Sequence, residues 1–327
     1  MRFSICCIIL MIVNDVSFGG MYSAAFKVKV LGEDERPVTN ASVLAAFWDA
    51  NAPGYGGGRH IGESITKLSD TNGVCEFEGR CDGSVEWKVT TEGYYPFYGP
   101  MISFTNVTAL GKLEPWGSVY YASVRRIVNP IPMYSRNLNL RRPLLQVPEI
   151  DKEYGFDLMK ADWVEPFGKG TVPDLLIRVE VKPVKVDDDF FVKNPEASKP
   201  RHKVLFIGFP NPDDGIQPFY ASPHVGSTFR LPRYAFETGY ENKCVIEYIS
   251  DGLRVIQNDM SREDQNYLFR VRTRRDEKGK MVSALYGKIE GRFDFDQFGV
   301  VTFHYFLNPT PNDRNLEFGA NLLSDKK

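Results

Sequence analysis

The chain has 327 residues, of which 43% are hydrophobic, 13% aromatic and 25% charged. These proportions exclude a disordered chain, and at about 100–200 residues per domain the length predicts two globular domains. The formal net charge of −2 excludes a strong field that would favour nucleic acid or an anionic membrane as partner.

The chain begins with an apolar run. Two residues, one of them basic, precede the run Phe3–Val13. A membrane-spanning helix needs about 20 apolar residues, so this shorter run is typical of a signal peptide. Small residues suited to cleavage follow at Ser17–Gly19 and again at Ser23–Ala25. We therefore predict a signal peptide over 1–19, with cleavage as late as residue 25, and a secreted, periplasmic or cell-envelope protein. No integral membrane segment is predicted in the mature chain.

Short strands separated by turn residues are predicted over 26–128. Phe26, Val28 and Val30 alternate with lysines, the pattern of a half-buried strand. Asn72-Gly73 is a strong signal for a tight hairpin turn. Further strands are predicted at 42–48, 63–68, 74–77, 84–90 and 118–127. Six or seven short strands in about 100 residues predict an antiparallel β-sandwich.

Within this region the motifs follow a recognisable order. They are Val28-x-Val30, Arg36-Pro37-Val38, Ala41-x-Val43, Asp70-Thr71-Asn72-Gly73-x-Cys75-x-Phe77 and Val89-Thr90-Thr91-Glu92-Gly93-Tyr94. This order resembles the carboxypeptidase regulatory-like module over about 26–105, and bacterial Ig-like modules share much of it. Glu35 and Asn40 stand where such modules often have glycine. The resemblance implies a prealbumin-like or Ig-like sandwich that acts as a spacer, stabilising or adhesive element and carries no catalytic residues.

A segment rich in proline and arginine follows at 129–150. It contains four prolines and three arginines (Arg136, Arg141 and Arg142) but a single acid, Glu149. Such a composition predicts a semi-rigid linker. The arginines could contact an acidic partner, but a solvated linker is the simpler interpretation.

The remainder, 151–327, is predicted to be mostly β. Leu175–Val181 alternates, whereas Val204–Phe209 is continuously apolar, as in a strand buried on both faces. Other apolar runs are Val245–Ile249, Val255–Ile256, Tyr267–Thr273, Met281–Phe295 and Val300–Leu307. The pattern predicts a second, larger sandwich of jelly-roll type, from no family that we recognise.

Three cysteines would remain after removal of the signal peptide. Cys75 and Cys81 flank a Glu-Phe-Glu-Gly-Arg segment that is typical of a strand end and a turn. In an exported protein a disulfide could join them, and two free thiols are the alternative. Cys244 lies in an apolar strand and is expected to be a small core residue.

Catalytic and metal-binding motifs are absent from the sequence. It has no G-x-S-x-G, no H-E-x-x-H, no phosphate-binding loop and no dinucleotide fingerprint. The four histidines lack the spacing of metal ligands, and His304 lies inside a strand, where a structural histidine with a satisfied hydrogen bond is expected. We therefore predict no catalytic residue, no metal site and no cofactor.

Aromatic residues give the strongest functional hint. The chain has 16 Tyr, 23 Phe and 4 Trp, many of them beside predicted loops. Exposed aromatic rings on a β-sandwich can stack on sugar rings, and the alternative is that they fill the two cores. The candidate binding residues are Tyr55, Tyr95, Tyr98, Trp116, Trp163 and Tyr220.

Three functions are therefore considered. The leading hypothesis is an exported, non-catalytic protein that binds a glycan or another protein at the cell envelope or outside the cell. A structural or assembly subunit of the envelope is the second, and it requires an open strand edge or an apolar patch. The third is a hydrolase with the first sandwich as accessory module, which requires two carboxylates across a cleft.

Overall fold

The computed structural model describes residues 20–49, 60–140, 143–185 and 189–323. The predicted signal peptide and Tyr55 lie outside these residues. Nearly all of the regular secondary structure in the described chain is β-strand, with one short helix, which confirms the predicted all-β class. It divides into two compact units, which we call unit 1 (up to Arg126, with His224–Thr228) and unit 2 (Ile127–Pro223 and from Phe229 onward).

Ten strands precede the boundary at Arg126. They are β1 (Tyr22–Leu31), β2 (Ser42–Asp49), β3 (His60–Leu68), β4 (Val74–Cys81), β5 (Ser84–Thr90), β6 (Phe97–Tyr98), β7 (Ile102–Ser103), β8 (Asn106–Val107), β9 (Leu113–Glu114) and β10 (Ser118–Ser123).

The elements after the boundary belong to unit 2, except β17, which lies in unit 1. They are β11 (Ile131–Asn137), β12 (Tyr154–Asp157), β13 (Asp162–Trp163), β14 (Leu175–Lys182), α1 (Phe190–Lys193), β15 (Arg201–Gly208), β16 (Gly215–Tyr220), β17 (Gly226–Ser227), β18 (Lys243–Ser250), β19 (Val255–Asn258), β20 (Gln265–Arg275), β21 (Met281–Ile289), β22 (Asp294–Phe295), β23 (Val301–Thr302), β24 (His304–Leu307) and β25 (Phe318–Asn321).

Unit 1 is a sandwich of two sheets, as predicted. One sheet has the order β10-β1-β4, and the other has the order β17-β6-β5-β2-β3, with β7 beside β5. β1 runs parallel to β10 and antiparallel to β4. Alternate side chains of both sheets form one core, in which Phe26 stacks on Phe77 at 5.2 Å between ring centroids and Trp87 is 3% exposed. Period-two burial of this kind is what the alternation in the sequence predicts.

A tight turn over Asp70–Gly73 leads into β4. The Asp70 carboxylate accepts two backbone hydrogen bonds of 2.8 Å, from Asn72 and Val74. Gly73 has φ +76°, and a Cβ there would lie 2.5 Å from the Val30 carbonyl oxygen, so glycine is required. The strands on either side, β3 and β4, belong to different sheets, so the predicted hairpin is instead a corner between the two sheets.

Unit 2 is a larger sandwich of two six-stranded sheets. The β20 sheet has the order β16-β20-β21-β24-β11-β25, and the β15 sheet has the order β13-β12-β14-β15-β18-β19. Phe269 and Tyr305 from the β20 sheet share one core with Phe156, Ile177 and Ile207 from the β15 sheet. Leu205 and Ile207 of the apolar run Val204–Phe209 face this core, and Val204 on the opposite face is also buried.

The segment 129–150 is not the linker that its composition predicts. Strand β11 lies within the β20 sheet, antiparallel to β24 and parallel to β25, and Met133 is completely buried. Pro132 is accommodated because the pairing with β25 shifts register between Ile131 and Pro132, where a missing N–H costs no ladder hydrogen bond. The proline-rich composition therefore predicts a linker where the structure has a strand of the second sandwich.

No disulfide joins Cys75 and Cys81. Both thiols lie in β4, which pairs continuously with β1 from Val28↔Cys75 to Tyr22↔Cys81. Six residues of extended strand separate their Cα atoms by roughly 20 Å, whereas a disulfide needs about 4.4–6.8 Å. The Gly-Arg pair that suggested a turn is held extended by the neighbouring strand.

Candidate functional site

The five candidate aromatic residues that the structure describes divide between the two units. Tyr98 and Trp116 lie in unit 1 and are 48% and 38% exposed, and Tyr95 of the same unit is half-buried. In unit 2, Tyr220 is 51% exposed, whereas Trp163 is buried. The structure therefore places three of these residues in unit 1 and two in unit 2.

Trp163 is a core residue, so its prediction as an exposed binding residue is wrong. Its ring packs edge-on against Tyr154 and Phe156, with centroids 6.2 and 5.5 Å away. Its indole N–H donates to the Gln146 carbonyl oxygen at 3.0 Å, which satisfies the one polar atom of the ring. The short strand β13 pairs with β12 and turns the ring into the core.

Tyr220 lies at the end of β16, an edge strand of the β20 sheet, opposite Gln265. The Arg262 guanidinium lies over its ring, 4.3 Å from the centroid. Asp264 holds that guanidinium through two hydrogen bonds of 3.1 and 2.9 Å. A cation fixed over an aromatic face keeps the ring in one orientation. Tyr220 is thus an exposed ring with a defined position.

A groove of about 320 Å³ lies beside this ring, and we call it the Tyr220 groove. Its walls come from β18, the end of β19 and the start of β20: Cys244, Val245, Ile246, Asn258, Asp259, Ser261, Arg262, Gln265 and Tyr267. The floor is formed by Ile246 and Tyr267, which are 4% and 2% exposed. The groove therefore combines an apolar floor with a polar rim.

Several polar groups of the rim have no partner within the described part of the chain. Gln265 donates to the Tyr267 hydroxyl at 2.7 Å, which leaves its carbonyl oxygen available. Asn258 accepts from the Met260 amide, which leaves its NH₂ group available, and the Ser261 hydroxyl is likewise unused. These groups offer both donors and acceptors to a ligand.

The groove holds no activated nucleophile. Burial raises the pKa of the Cys244 thiol to about 11, with Glu241 acting in the same direction. Burial also raises the pKa of the Tyr267 phenol. Both groups are therefore protonated at neutral pH, and a thiol reacts as its thiolate. Besides these neutral groups, the walls carry the charged side chains of Asp259 and Arg262.

Two buried carboxylates of unit 2 come together around Arg272. The Arg272 guanidinium donates two hydrogen bonds to Asp174, at 2.7 and 2.9 Å, and one to Asp157, at 3.2 Å. Burial alone would raise the pKa of Asp157, but the Thr171 and Val172 amides and Arg272 hold it below its usual value. Burial raises the pKa of Asp174 in spite of Arg272.

This pair does not suit acid–base catalysis on a bound substrate. The two aspartates are 1% and 2% exposed, and backbone amides and Arg272 occupy their oxygen atoms. The arrangement is a structural ion-pair network, which the scattered sequence positions could not reveal.

A buried lysine lies on the outer face of the β20 sheet. Lys288 is 2% exposed and donates to the Glu290 carboxylate at 2.8 Å. Its ammonium group lies between the rings of Phe229 and Phe306, 5.1 and 4.8 Å from their centroids. Desolvated cation–π contacts of this kind offset part of the cost of burial. Nothing in the sequence pattern singles out Lys288.

His304 lies beside this lysine, and its Nε2 is 3.3 Å from the Ser135 hydroxyl. Burial lowers the pKa of His304, Glu290 opposes that shift, and the charges of Lys288 and Arg230 add to it. The folded protein thus favours the neutral ring more than the unfolded chain does. The contribution of His304 to the free energy of unfolding is therefore fully present above its unfolded pKa of about 6.5. It is lost as the pH falls through that value towards the lower pKa of the folded state.

We expect the free energy of unfolding to fall between pH 7.5 and 5.5, and His304→Gln to flatten that dependence. Urea denaturation of both proteins across this range measures the effect. His202→Gln is the matched control, because His202 is also a strand histidine, paired to Glu247 at 2.6 Å. A dependence that His304→Gln leaves unchanged would contradict the assignment.

Across the residues that the structure describes, no three side chains of His, Cys, Asp or Glu converge as metal ligands would. No helix in the described ranges has the length and apolar character needed to span a bilayer.

Comparison with known proteins gives only distant structural similarity. No family model and no curated protein matches the chain. It is similar to 3-chlorocatechol 1,2-dioxygenase from Rhodococcus opacus, with 11% identity over 32% of this chain and 61% of that one, at a TM-score of 0.24. A candidate carbohydrate-binding protein from Bacteroides uniformis has 12% identity over 86% and 95% of the chains, at a TM-score of 0.19.

The major pilin subunit BcpA of Bacillus cereus has 12% identity over 90% of this chain and 99% of its own, at a TM-score of 0.21. The chain spans about 60% of the length of the two dioxygenases it matches. At these TM-scores the similarities carry no argument about function, and the functional case depends on the residues of the groove.

Proposed function

We propose that this chain is an exported, non-catalytic β-sandwich protein that binds a carbohydrate in the Tyr220 groove. The observation that carries the proposal is the exposed ring of Tyr220 next to a groove whose rim offers the Gln265 carbonyl, the Asn258 NH₂ and the Ser261 hydroxyl, none of which has a partner among the described residues. A sugar presents an apolar C–H face and a rim of hydroxyls. An aromatic ring complements the first and planar amide side chains complement the second.

The groove has the dimensions of a small-ligand site. Its volume of about 320 Å³ lies at the lower end of the range of roughly 300–1,000 Å³ for such sites. Both walls belong to unit 2, and each is anchored by a strand of one of its two sheets. A site on paired strands keeps its geometry without the ligand, which lowers the entropic cost of binding.

Export is part of the proposal, and β1 supports the earlier cleavage site. Tyr22–Ala25 pairs with Glu78–Cys81 of β4. Cleavage after Gly19 would leave this ladder whole, whereas cleavage after Ala25 would remove four of its register positions. We infer that a signal peptide over 1–19 is removed and that β1 folds intact.

Unit 1 is proposed to be a carboxypeptidase regulatory-like module that acts as a spacer or stabilising domain. Glu35 and Asn40, where such modules often have glycine, have φ of 60° and 56°. Gly93 of the Glu-Gly-Tyr motif has φ +75°. Positive φ at these three positions is the reason that glycine suits them.

Carbohydrate binding can be tested with the purified protein on a glycan array, followed by calorimetric titration of the strongest glycan. We expect Tyr220→Ala to weaken binding at least tenfold, which corresponds to about 1.4 kcal/mol, because the stacking surface is lost. The free energy of unfolding should change by no more than about 0.5 kcal/mol, since the ring is exposed.

Tyr98→Ala is the matched control, since Tyr98 is a strand tyrosine of nearly equal exposure in unit 1. It should leave the affinity unchanged. Absence of any bound glycan, or an equal loss in both variants, would refute the proposal.

An envelope assembly subunit is the second candidate, and strand β3 favours it. β3 spans nine residues, is the last strand of its sheet, and is exposed at Ile61 and Leu68. An open edge of this length can accept a strand from another chain. Sedimentation over a range of concentrations separates the two functions, because an assembly subunit associates and a monomeric binding protein does not.

A further inference from the structure

We propose that unit 2 carries a second binding site, for an oxyanion group, at the turn of the β18–β19 hairpin. A recess of about 270 Å³ occurs there, and a second recess of about 220 Å³, lined mainly by residues of β14 and β15, shares Lys199 and Arg201 with it. Together we call them the basic recess. Five basic side chains line it, and none of the described residues in its walls is a carboxylate: Lys182, Lys199, Arg201, Lys203 and Arg254.

The backbone around the recess is tightly packed. Gly252 has φ +93°, and a Cβ there would lie 2.4 Å from the Ser198 carbonyl oxygen. The Ser198 amide donates to the Gly252 carbonyl at 2.9 Å, and the Ser250 hydroxyl donates to the Arg254 carbonyl at 3.1 Å. These contacts fix the β18–β19 turn against the segment that carries the two shared cations.

The positive charge of the recess is only partly neutralised within the protein. Arg254 pairs with Asp251 at 3.3 Å, and the Lys182 ammonium lies 4.0 Å from Glu180. The two cations that both recesses share have no ion-pair partner among the residues that the structure describes. Unpaired cations on converging walls create a positive potential that concentrates anions.

Lys203 adds a half-buried cation to the same wall. Its ammonium group donates to the Phe295 carbonyl and lies 5.1 Å from the centroid of the Tyr248 ring. Burial lowers the pKa of Lys203, the two aspartates that flank Phe295 oppose the shift, and the charge of Arg201 adds to it. The like charges of Arg201 and Lys203 therefore repel each other, and a bound anion would relieve that repulsion.

The ligand chemistry that fits is a carboxylate, sulfate or phosphate group. Arg201 can hold such a group through two parallel hydrogen bonds, with lysine ammonium groups supplying further donors. Tyr248 lines the wall beside these cations, so the oxyanion can belong to a sugar ring as well as to a free ion. This site does not depend on the Tyr220 groove, since the two share no lining residue.

The test is calorimetric titration of the purified protein at low ionic strength with a heparin-derived hexasaccharide, a galacturonate trisaccharide and sodium sulfate. We expect at least one of them to bind, Arg201→Glu to weaken that binding at least tenfold, and Arg201→Lys to retain more of it. Tighter binding of an oligosaccharide than of sulfate identifies an acidic sugar as the source of the oxyanion. Equal affinity identifies the free anion.

Arg274→Glu controls for a general effect of net charge, because Arg274 is exposed on β20, away from the recess. Arg274→Glu should leave the affinity of the basic recess for the probe unchanged. Tyr220→Ala, which alters the Tyr220 groove, should also leave that affinity unchanged. Failure of all three probes to bind, or an equal loss in Arg274→Glu, would overturn the proposal.

Discussion

Arg272→Met is expected to destabilise unit 2 by about 3–5 kcal/mol, the largest effect of any charged residue described above. Arg272 is the only cation among the described residues that pairs with Asp174, and its loss leaves two carboxylates at 1% and 2% exposure without their shared partner. An unpaired charge in the interior costs far more than the ion pair itself contributes. Urea denaturation followed by tryptophan fluorescence measures the loss, with Trp163 as a reporter in the same core.

Arg275→Met is the matched control on the same strand. Arg275 pairs with Asp213 at 2.7 Å, but the side chains are 43% and 30% exposed. Its replacement should cost far less stability than Arg272→Met, because water solvates both charges once the pair is broken. The double variant Arg272→Met/Asp174→Asn should recover part of the stability, since one buried charge is gone. A double variant no more stable than Arg272→Met would contradict this account.

Trp163→Ala is expected to cost about 3–5 kcal/mol of unfolding free energy while leaving the affinity of the Tyr220 groove unchanged. The substitution opens a cavity against Tyr154 and Phe156 and leaves the Gln146 carbonyl without its donor. Tyr220→Ala should give the opposite result, with weaker binding and nearly unchanged stability.

This pair of variants separates a core aromatic residue from a surface one by two measurements on the same protein. Denaturation and titration should both be performed well below the melting temperature of Trp163→Ala. If Trp163→Ala kept its stability and lost binding, the role that the sequence suggested for Trp163 would be restored and the burial argument would fail.

Strand positions were predictable because one-sided burial imposes a period of two on the side chains. β1, β14 and β20 all lie where alternation indicates them, and the structure extends each by only a few residues. The all-β class followed from the same pattern. β11 is the exception, because its prolines and the nearby arginines indicate a linker, and no pattern in the sequence shows that β24 and β25 are its partners.

Residue roles were less predictable, because exposure depends on strands far away in the sequence. Trp163 and Tyr220 both stand next to turns, yet β12 directs the first into the core and the edge position of β16 exposes the second. Asn258 and Arg262 join Tyr220 only because β18, β19 and β20 meet at one end of the sandwich. No residue spacing in the sequence predicts that these three strands come together.

The order of strands in the β20 sheet also determines when unit 2 can form. β11 opens this unit in the chain, yet its two neighbours, β24 and β25, are the last strands described. During synthesis β11 must therefore wait, unpaired, until the segment through Asn321 has emerged, and long-range pairing of this kind folds slowly. The β20 sheet is therefore completed only when nearly all of the described chain has been synthesised.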